Sequence, residues 1–350
     1  MASFTGSLRV PDKVRCRSKP DAATPGTLKS GFGGLFLGLF LGFFCILFLF
    51  SFFFFLSYNR ILSMKDAKLT LKANPLHKSL IRLNDTTAIG GQDLTIIGGP
   101  CAVGALGTME AIATQLRGSI QGLRGGVYKP RTSPYSFQGA GQDGLNVLEQ
   151  VRRSSGLPVV TEVMAIAQIE TLANSVDMLQ VGSRNMQNFD LLKALGQTHK
   201  PVLLKRGLSA TLEEFVMAAE YILAHGNPNV VLCERGIRSF DSYTRNVLDL
   251  GAVAALKQIT HLPILVDPSH AAGRRELVAD LSRAAIACGA DGLIIECHPD
   301  PDRAISDAQQ TLSLEAMAAL VESLKPIAVA VGRSIVQPLE TQNIRQTVAV

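Results

Sequence analysis

The sequence predicts a (β/α)8 barrel with a short N-terminal extension and a hydrophobic leader. Three observations predict it. Short apolar runs recur eight times within about 230 residues, each bounded by turn signals, as the buried parallel strands of such a barrel require. Between them lie stretches with apolar residues at helical spacing. Nearly every run ends in charged or metal-capable residues, the way strands read when their C-terminal ends leave a core for a polar site. No Gly-x-Gly-x-x-Gly follows the first run, which counts against an open, doubly wound dinucleotide fold.

In order, the expected strands are 94–98, 123–129, 157–162, 178–182, 202–205, 230–234, 264–267 and 293–296. The seventh shows the pattern best. Leu262-Pro-Ile-Leu-Val is apolar and stops abruptly at Asp267, Pro268, Ser269 and His270; proline cannot extend a central ladder, so Pro268 marks the exit. One helix face is expected from Leu212, Phe215, Val216, Ala219, Ile222 and Leu223, with Ser209 and Thr211 before it and Glu213 and Glu214 in its first turn. A second is expected from Leu277, Val278, Leu281, Ala284, Ala285 and Cys288. The barrel is placed at 94–330, with a tail at 331–350. Residues 64–93 are polar with scattered apolar positions. They are expected to cap one end of the barrel, with Gly90-Gly91 as a turn between short strands.

The leader stands apart. Residues 1–29 are polar and basic, and from Ser30 to Asn59 there is no charged residue. That stretch is long enough to span a bilayer, with the basic cluster holding the N-terminus on the cytoplasmic side. Its apolar core exceeds the roughly 7–15 residues of a signal peptide, and Met64-Lys-Asp-Ala-Lys-Leu-Thr reads as an ordinary cytosolic beginning. Translated sequence upstream of the true start is the favoured reading of 1–63, with a membrane segment or a targeting peptide as alternatives. A net charge of +5 without any basic block gives no support to nucleic-acid binding, and suits anionic substrates equally well. Six cysteines without a C-x-x-C pair point to a reducing, cytoplasmic compartment.

The strand ends carry two chemical sets. Arg124, Lys129, Arg131, Arg184, Lys205, Arg206 and Arg235 would repel one another unless they held anions. Arginine matches phosphate and carboxylate bidentately and lysine adds a point charge, so phosphorylated, acidic substrates are expected. The bland alternative is that each cation pairs with a neighbouring carboxylate. The second set, Cys101, His270, Glu296 and Asp307, suits a divalent transition metal such as manganese, cobalt, zinc, iron or cadmium. These four come from different loops, and only a barrel would bring them together. His298 lies two residues after Glu296, hence on the same side of a strand, as a proton carrier or a partner of the ligands. Cys233, Cys288 and Cys297 are expected to pack in the core, and His77, His199, His225 and His261 to lie on the surface.

These strand ends resemble those of the 3-deoxy-D-arabino-heptulosonate 7-phosphate (DAHP) synthases, type I β branch, which are related to the octulosonate phosphate synthases. The carriers are Gly-Gly-Pro-Cys101, Leu123-Arg-Gly-Gly-Val-Tyr-Lys-Pro-Arg-Thr-Ser133, Gly182-Ser-Arg-Asn185, Lys205-Arg-Gly207, Asp267-Pro-Ser-His270, Glu296-Cys-His-Pro-Asp-Pro and Ser306-Asp307-Ala-Gln-Gln310. The resemblance implies a condensation of phosphoenolpyruvate with erythrose 4-phosphate, and a homo-oligomer, tetramer or dimer. Carried over residue by residue, it implies metal binding by Cys101, His270, Glu296 and Asp307. It implies phosphoenolpyruvate binding by Arg124, Lys129, Arg184, Lys205 and Arg235, with Arg206, Glu234 and Asp267 also in the substrate site. Pro130, Arg131, Thr132 and Ser133 would hold the phosphosugar. Lys129 is the favoured proton donor to the forming alkoxide, with a metal-bound water or His298 as alternatives.

The sequence departs from the family after Cys101, where Ala102-Val103-Gly104-Ala105 stands in place of a segment ending in Glu-Ser. Residues 64–93 leave no room for a regulatory domain, so no feedback inhibition by aromatic amino acids is expected. The nearest rival is an octulosonate phosphate synthase using arabinose 5-phosphate; those enzymes usually carry an Asn-containing version of Lys129-Pro-Arg-Thr-Ser. A Schiff-base aldolase with Lys205 or Lys129 as nucleophile and a membrane-tethered, inactive binding protein are the other readings.

Overall fold

The computed structural model describes residues 64–131 and 133–335. The leader, Thr132 and residues 336–350 lie outside the described residues, and with them every expectation placed on 1–63. Among the described residues, no helix is long and apolar enough to cross a membrane.

Eight parallel strands close into a barrel: β3 (Thr95–Gly99), β4 (Gly122–Arg124), β5 (Val159–Val163), β6 (Met178–Val181), β7 (Val202–Lys205), β8 (Val230–Glu234), β9 (Ile264–Val266) and β10 (Gly292–Glu296). β10 pairs with both β9 and β3, which completes the ring. The intervening helices are α1 (Leu106–Gln115), α2 (Gly141–Ser155), α3 (Ile169–Ser175), α4 (Phe189–Gly196), α5 (Leu212–Ala224), α6 (Leu250–Ile259), α7 (Pro268–Ala272) and α8 (Arg275–Ala287), with α9 (Leu314–Ala330) after β10. This is the predicted (β/α)8 architecture.

The strands bury two distinct apolar layers because successive side chains face opposite sides. One parity, including Ile96, Leu123, Val159, Leu179, Leu204, Leu232, Val266 and Ile295, packs against the helices. The other parity, Ile97, Val160, Met178, Leu203, Val231, Cys233, Leu265 and Ile294, fills the barrel. The hairpin β1 (Ile81–Arg82) and β2 (Ala88–Ile89) adds Ile81, Leu83 and Ile89 to this inner cluster, so the extension plugs the barrel floor.

Local chemistry departs from the sequence reading in four places. The hairpin turns at Asn84, whose Oδ1 accepts from the amides of Thr86 and Thr87 at 3.0 and 2.8 Å. Gly90 instead follows β2 at φ 99°, where a Cβ would stand 2.3 Å from the Ser79 carbonyl oxygen. β4 ends at Arg124 rather than continuing to residue 129. Beyond it the Gly126 amide donates to the Cys101 carbonyl at 3.1 Å, and this detour brings Lys129 back to Cys101. The buried face of α8 is Val278, Ser282, Ala285 and Ile286, leaving Leu277, Leu281 and Cys288 half-buried. His261 is buried. It stacks on His77 with ring centroids 4.0 Å apart, and burial lowers its pKa. The neutral ring donates from Nε2 to the Leu69 carbonyl at 2.6 Å and accepts at Nδ1 from the Ser79 hydroxyl at 2.8 Å.

The expected N-terminus of α5 forms a capping box. Thr211 Oγ1 accepts from the Glu214 amide at 3.1 Å, and Glu214 Oε2 accepts from the Thr211 amide at 2.8 Å.

Candidate active site and metal centre

Two residues beyond the inward apolar position of five strands, and at the end of β4, the barrel interior turns polar. Arg124, Glu162, Gln180, Lys205, Asp267 and Glu296 all share the inward parity, and all are buried. They form the floor of the C-terminal mouth. Above them opens a cavity of about 490 Å³ whose wall includes Cys101, Arg124, Lys129, Pro130, Arg131, Ser133, Arg184, Lys205, Arg235 and His270.

Cys101, His270, Glu296 and Asp307 meet here, with one donor atom from each within 4.8 Å of the others. Cys101 lies two residues past the end of β3 and Glu296 ends β10. His270 sits on α7, whose N-cap is Asp267: its Oδ1 accepts the His270 amide at 2.9 Å, while Oδ2 lies 2.8 Å from His270 Nδ1. That carboxylate orients the imidazole and leaves Nε2 facing Glu296 Oε1 at 3.2 Å and Cys101 Sγ at 3.8 Å. Asp307 reaches inward from a backbone at φ 57°, unique among the described non-glycine residues. A histidine whose outer nitrogen is held by a carboxylate, together with thiol and carboxylate donors, is the arrangement of a transition-metal site. The electrostatics agree. Burial pushes the Cys101 thiol up to about 12, with Glu296 adding to the rise, so a cation is needed to keep the sulfur as thiolate. Burial also lowers the His270 pKa, leaving a neutral, ligand-competent ring. Burial by itself would raise Asp307, but His270 and other partners outweigh it and hold the carboxyl well below its ordinary range.

The cations divide. Lys205 pairs with Asp267, and Arg124 Nη1 donates to Glu296 at 3.0 Å. Burial disfavours the charge on Arg124, but Glu296 and its other anionic neighbours more than restore it. Arg124 Nε is buried without a partner. Lys129 Nζ lies 3.0 Å from the Cys101 carbonyl and 2.7 Å from its sulfur. Arg235 meets only the carbonyls of Gly236 and His270, both at 3.3 Å, and burial lowers its pKa. Among the described residues, Lys129, Arg131, Arg184 and Arg235 line the cavity without an ion-pair partner. Neutralisation by neighbours therefore does not account for the set.

It does account for Arg206. Arg206 Nη1 donates to Glu234 at 2.9 Å and to Asp249 at 3.0 Å, and Gly236 N donates to the other Glu234 oxygen at 2.6 Å. Neither Arg206 nor Glu234 is on the cavity wall, because each follows an inward residue, Lys205 or Cys233, and so has the outward parity. Asp267 acts from beneath the wall through His270 and Lys205. His298 is also off the wall. Past Glu296 the chain bends to pair with Leu312, strand parity lapses, and His298 Nδ1 accepts the Asp300 amide at 3.0 Å. Residues without a sequence assignment also line the mouth: Glu162, Gln180, Arg238, Arg245 and Asn246. Inward parity would have selected the first two. The last three lie on a loop with no such signal.

The sequence profile described as the DAHP synthetase I family matches residues 72–331. The chain is 48% identical over 270 residues to a phospho-2-dehydro-3-deoxyheptonate aldolase of Thermotoga maritima, covering 77% of this chain and 80% of that protein. It is 34% identical over 254 residues to a 2-dehydro-3-deoxyphosphooctonate aldolase of Syntrophotalea carbinolica, covering 67% and 91%. The crystal structure of the Thermotoga maritima DAHP synthase superposes with a TM-score of 0.74 at 47% identity, covering 77% of this chain and 78% of that one. A truncated form of the Thermotoga maritima synthase gives 0.71 at 44% identity, covering 76% and 98%. With its barrel, its cavity and these relatives in agreement, the chain belongs to the DAHP synthetase I family of enzymes.

Proposed function

We propose that the protein condenses phosphoenolpyruvate with erythrose 4-phosphate to give DAHP and phosphate, and that the reaction depends on a divalent metal. One observation carries this reading: unpaired cations line the same cavity as Cys101, His270 and Asp307 of a four-donor cluster able to hold a metal. The cations imply two anionic substrates, and the cluster implies an electrophile to be polarised.

Arg124, Lys129, Arg184, Lys205 and Arg235 hold the carboxylate and phosphate of phosphoenolpyruvate. Pro130, Arg131, Thr132 and Ser133 hold the phosphosugar. Fixing both substrates removes translational and rotational entropy from the barrier. When bound by Cys101, His270, Glu296 and Asp307, the ion supplies Lewis acidity for the aldehyde oxygen. C3 of phosphoenolpyruvate bonds to the aldehyde carbon, and the resulting alkoxide takes a proton. Lys129 is the donor, since its Nζ lies at the edge of the ligand cluster. Water adds at C2, phosphate leaves, and the arginines stabilise charge on the departing group. Arg206 and Glu234 support the site from behind the cavity wall.

The test is phosphate release by the purified protein from phosphoenolpyruvate with erythrose 4-phosphate or arabinose 5-phosphate, before and after EDTA. Turnover with erythrose 4-phosphate, lost on chelation and restored by Mn²⁺ or Co²⁺, is expected. Turnover with arabinose 5-phosphate alone, or indifference to EDTA, would refute the reading.

A further inference from the structure

The two carboxylates of the ligand set are held differently. Glu296 is the last residue of β10, fixed by the sheet. Asp307 lies on the loop after it, in the left-handed backbone region that non-glycine residues rarely occupy. A carboxylate on such a loop, beside a second carboxylate, is repelled by it and needs a hold of its own.

Arg245 provides it. Its Nη1 lies 3.1 Å from Asp307 Oδ1 and 3.1 Å from Gln310 Oε1, and Gln310 Nε2 donates to Glu296 Oε2 at 2.8 Å. Gln310 is fully buried. Its amide orientation follows from the network, because the oxygen must accept from arginine and the nitrogen must donate to the carboxylate. Arg245 is itself anchored to α7, the helix that bears His270. Its amide donates to the Ala272 carbonyl and that of Asn246 to the Ala271 carbonyl, both at 2.9 Å. Asn246 Nδ2 donates to the His270 carbonyl, also at 2.9 Å. Gly273 permits this approach: at its φ of 67°, a Cβ would stand 2.5 Å from the Arg245 Cβ.

We propose that Arg245 and Gln310 form a brace that sets Asp307 and Glu296 for metal binding, making Arg245 a positioning residue of the metal centre and not a ligand of a substrate phosphate. Arg245 lines the same cavity as the substrate-facing arginines, but its guanidinium is committed to the Asp307 carboxylate, whereas Arg131, Arg184 and Arg235 have no carboxylate partner among the described residues. The inference rests on the metal reading above, and its test separates the two.

Apo-protein of the full chain is titrated with Co²⁺, and the sulfur-to-cobalt absorption of Cys101 is followed in wild type, R245M, Q310M and the double variant. R245M is expected to weaken Co²⁺ binding by roughly ten- to a hundredfold, the usual loss when an outer-shell partner is removed. At saturating Co²⁺ the KM values should change by less than about threefold, since only uniform substrate binding would move them alone. The double variant should bind Co²⁺ about as weakly as the worse single one, because the two residues act as a unit. Wild-type Co²⁺ affinity in R245M with raised KM would overturn the brace and assign Arg245 to substrate. A wild-type protein without the sulfur-to-cobalt band would overturn the metal reading itself. If Q310M fails to fold, R245M, altered at a third-exposed side chain, still decides the matter.

Discussion

The two ends of the barrel are built from the same strands and solve opposite problems. At the N-terminal end the inward residues are Ile97, Val160, Met178, Leu203, Val231, Leu265 and Ile294, sealed by Ile81, Leu83 and Ile89 of the hairpin. Two residues further along on five of these strands, that parity carries Glu162, Gln180, Lys205, Asp267 and Glu296, and Arg124 joins them from the end of β4. The floor is stable because apolar surface leaves water. The mouth holds buried charges that oppose it unless paired or occupied. The family's chemistry thus sits on a layer that costs stability, resting on one that supplies it.

The largest contrast should come from removing a residue of the proposed metal site. Cys101→Ala is expected to reduce turnover by more than about a hundredfold, beyond the loss typical of an outer-shell change. Its metal-free unfolding midpoint should stay close to that of the wild type, because the lost sulfur packs no layer of the core. Steady-state assay together with urea denaturation checks both halves. A large stability loss would mean that mouth and floor are not separable.

The converse substitution is Ile89→Ala in the plug. Burial of Ile89 is complete, so the cost should be about 2–5 kcal/mol, read as a lowered urea midpoint. Turnover per folded molecule should be unchanged. A reduced turnover would show that the plug shapes the mouth through the intervening side-chain layer.

A third substitution examines the outward parity. Arg206→Met leaves Glu234 buried, where burial already raises its carboxyl pKa. Breaking such a pair costs about 3–5 kcal/mol. The KM for phosphoenolpyruvate should stay near wild type, while the equivalent change at Arg235 should raise it. Equal KM effects at both positions would put Arg206 back among the substrate contacts.

The sequence exposed the barrel because burial on both faces makes parallel strands nearly continuous apolar runs, and it picked out the four-donor cluster because Cys101, His270, Glu296 and Asp307 are chemically conspicuous where those runs end. It misled where a charged residue directly follows an inward-facing one. Lys205-Arg206 and Cys233-Glu234 cannot both face inward, and counting from Leu203 and Val231 would have separated them. It misled again where parity lapses, as at His298. It was silent on Arg245, because a cation on an irregular loop has no period to betray its direction, and the backbone at Asp307 that gives Arg245 its task shows no glycine or asparagine as a signal.

The smallest expected effect concerns the strap that keeps the floor plugged. Glu220 on α5 accepts from the amides of Lys68, Leu69 and Thr70 at 2.8–3.1 Å and from the Thr70 hydroxyl at 2.8 Å. Burial works to raise its pKa, but these donors outweigh it and hold the carboxyl below its ordinary value of 4.5. A depressed folded-state pKa means that the unfolded chain binds the proton more readily. The stabilisation is therefore complete above about pH 4.5 and is lost as the pH falls through the lower, folded value. Hydrogen bonds to a charged group contribute about 1.5–3 kcal/mol each, and Glu220→Gln keeps one acceptor, so the net loss at pH 7 should be about 1–2 kcal/mol. Hydrogen exchange at residues 68–70 should quicken in E220Q at pH 7, and in the wild type only at acid pH, while the amides of β3 stay protected. Equal acceleration in both regions would mean that the extension and the barrel open as one unit, and that the plug is part of the core it closes.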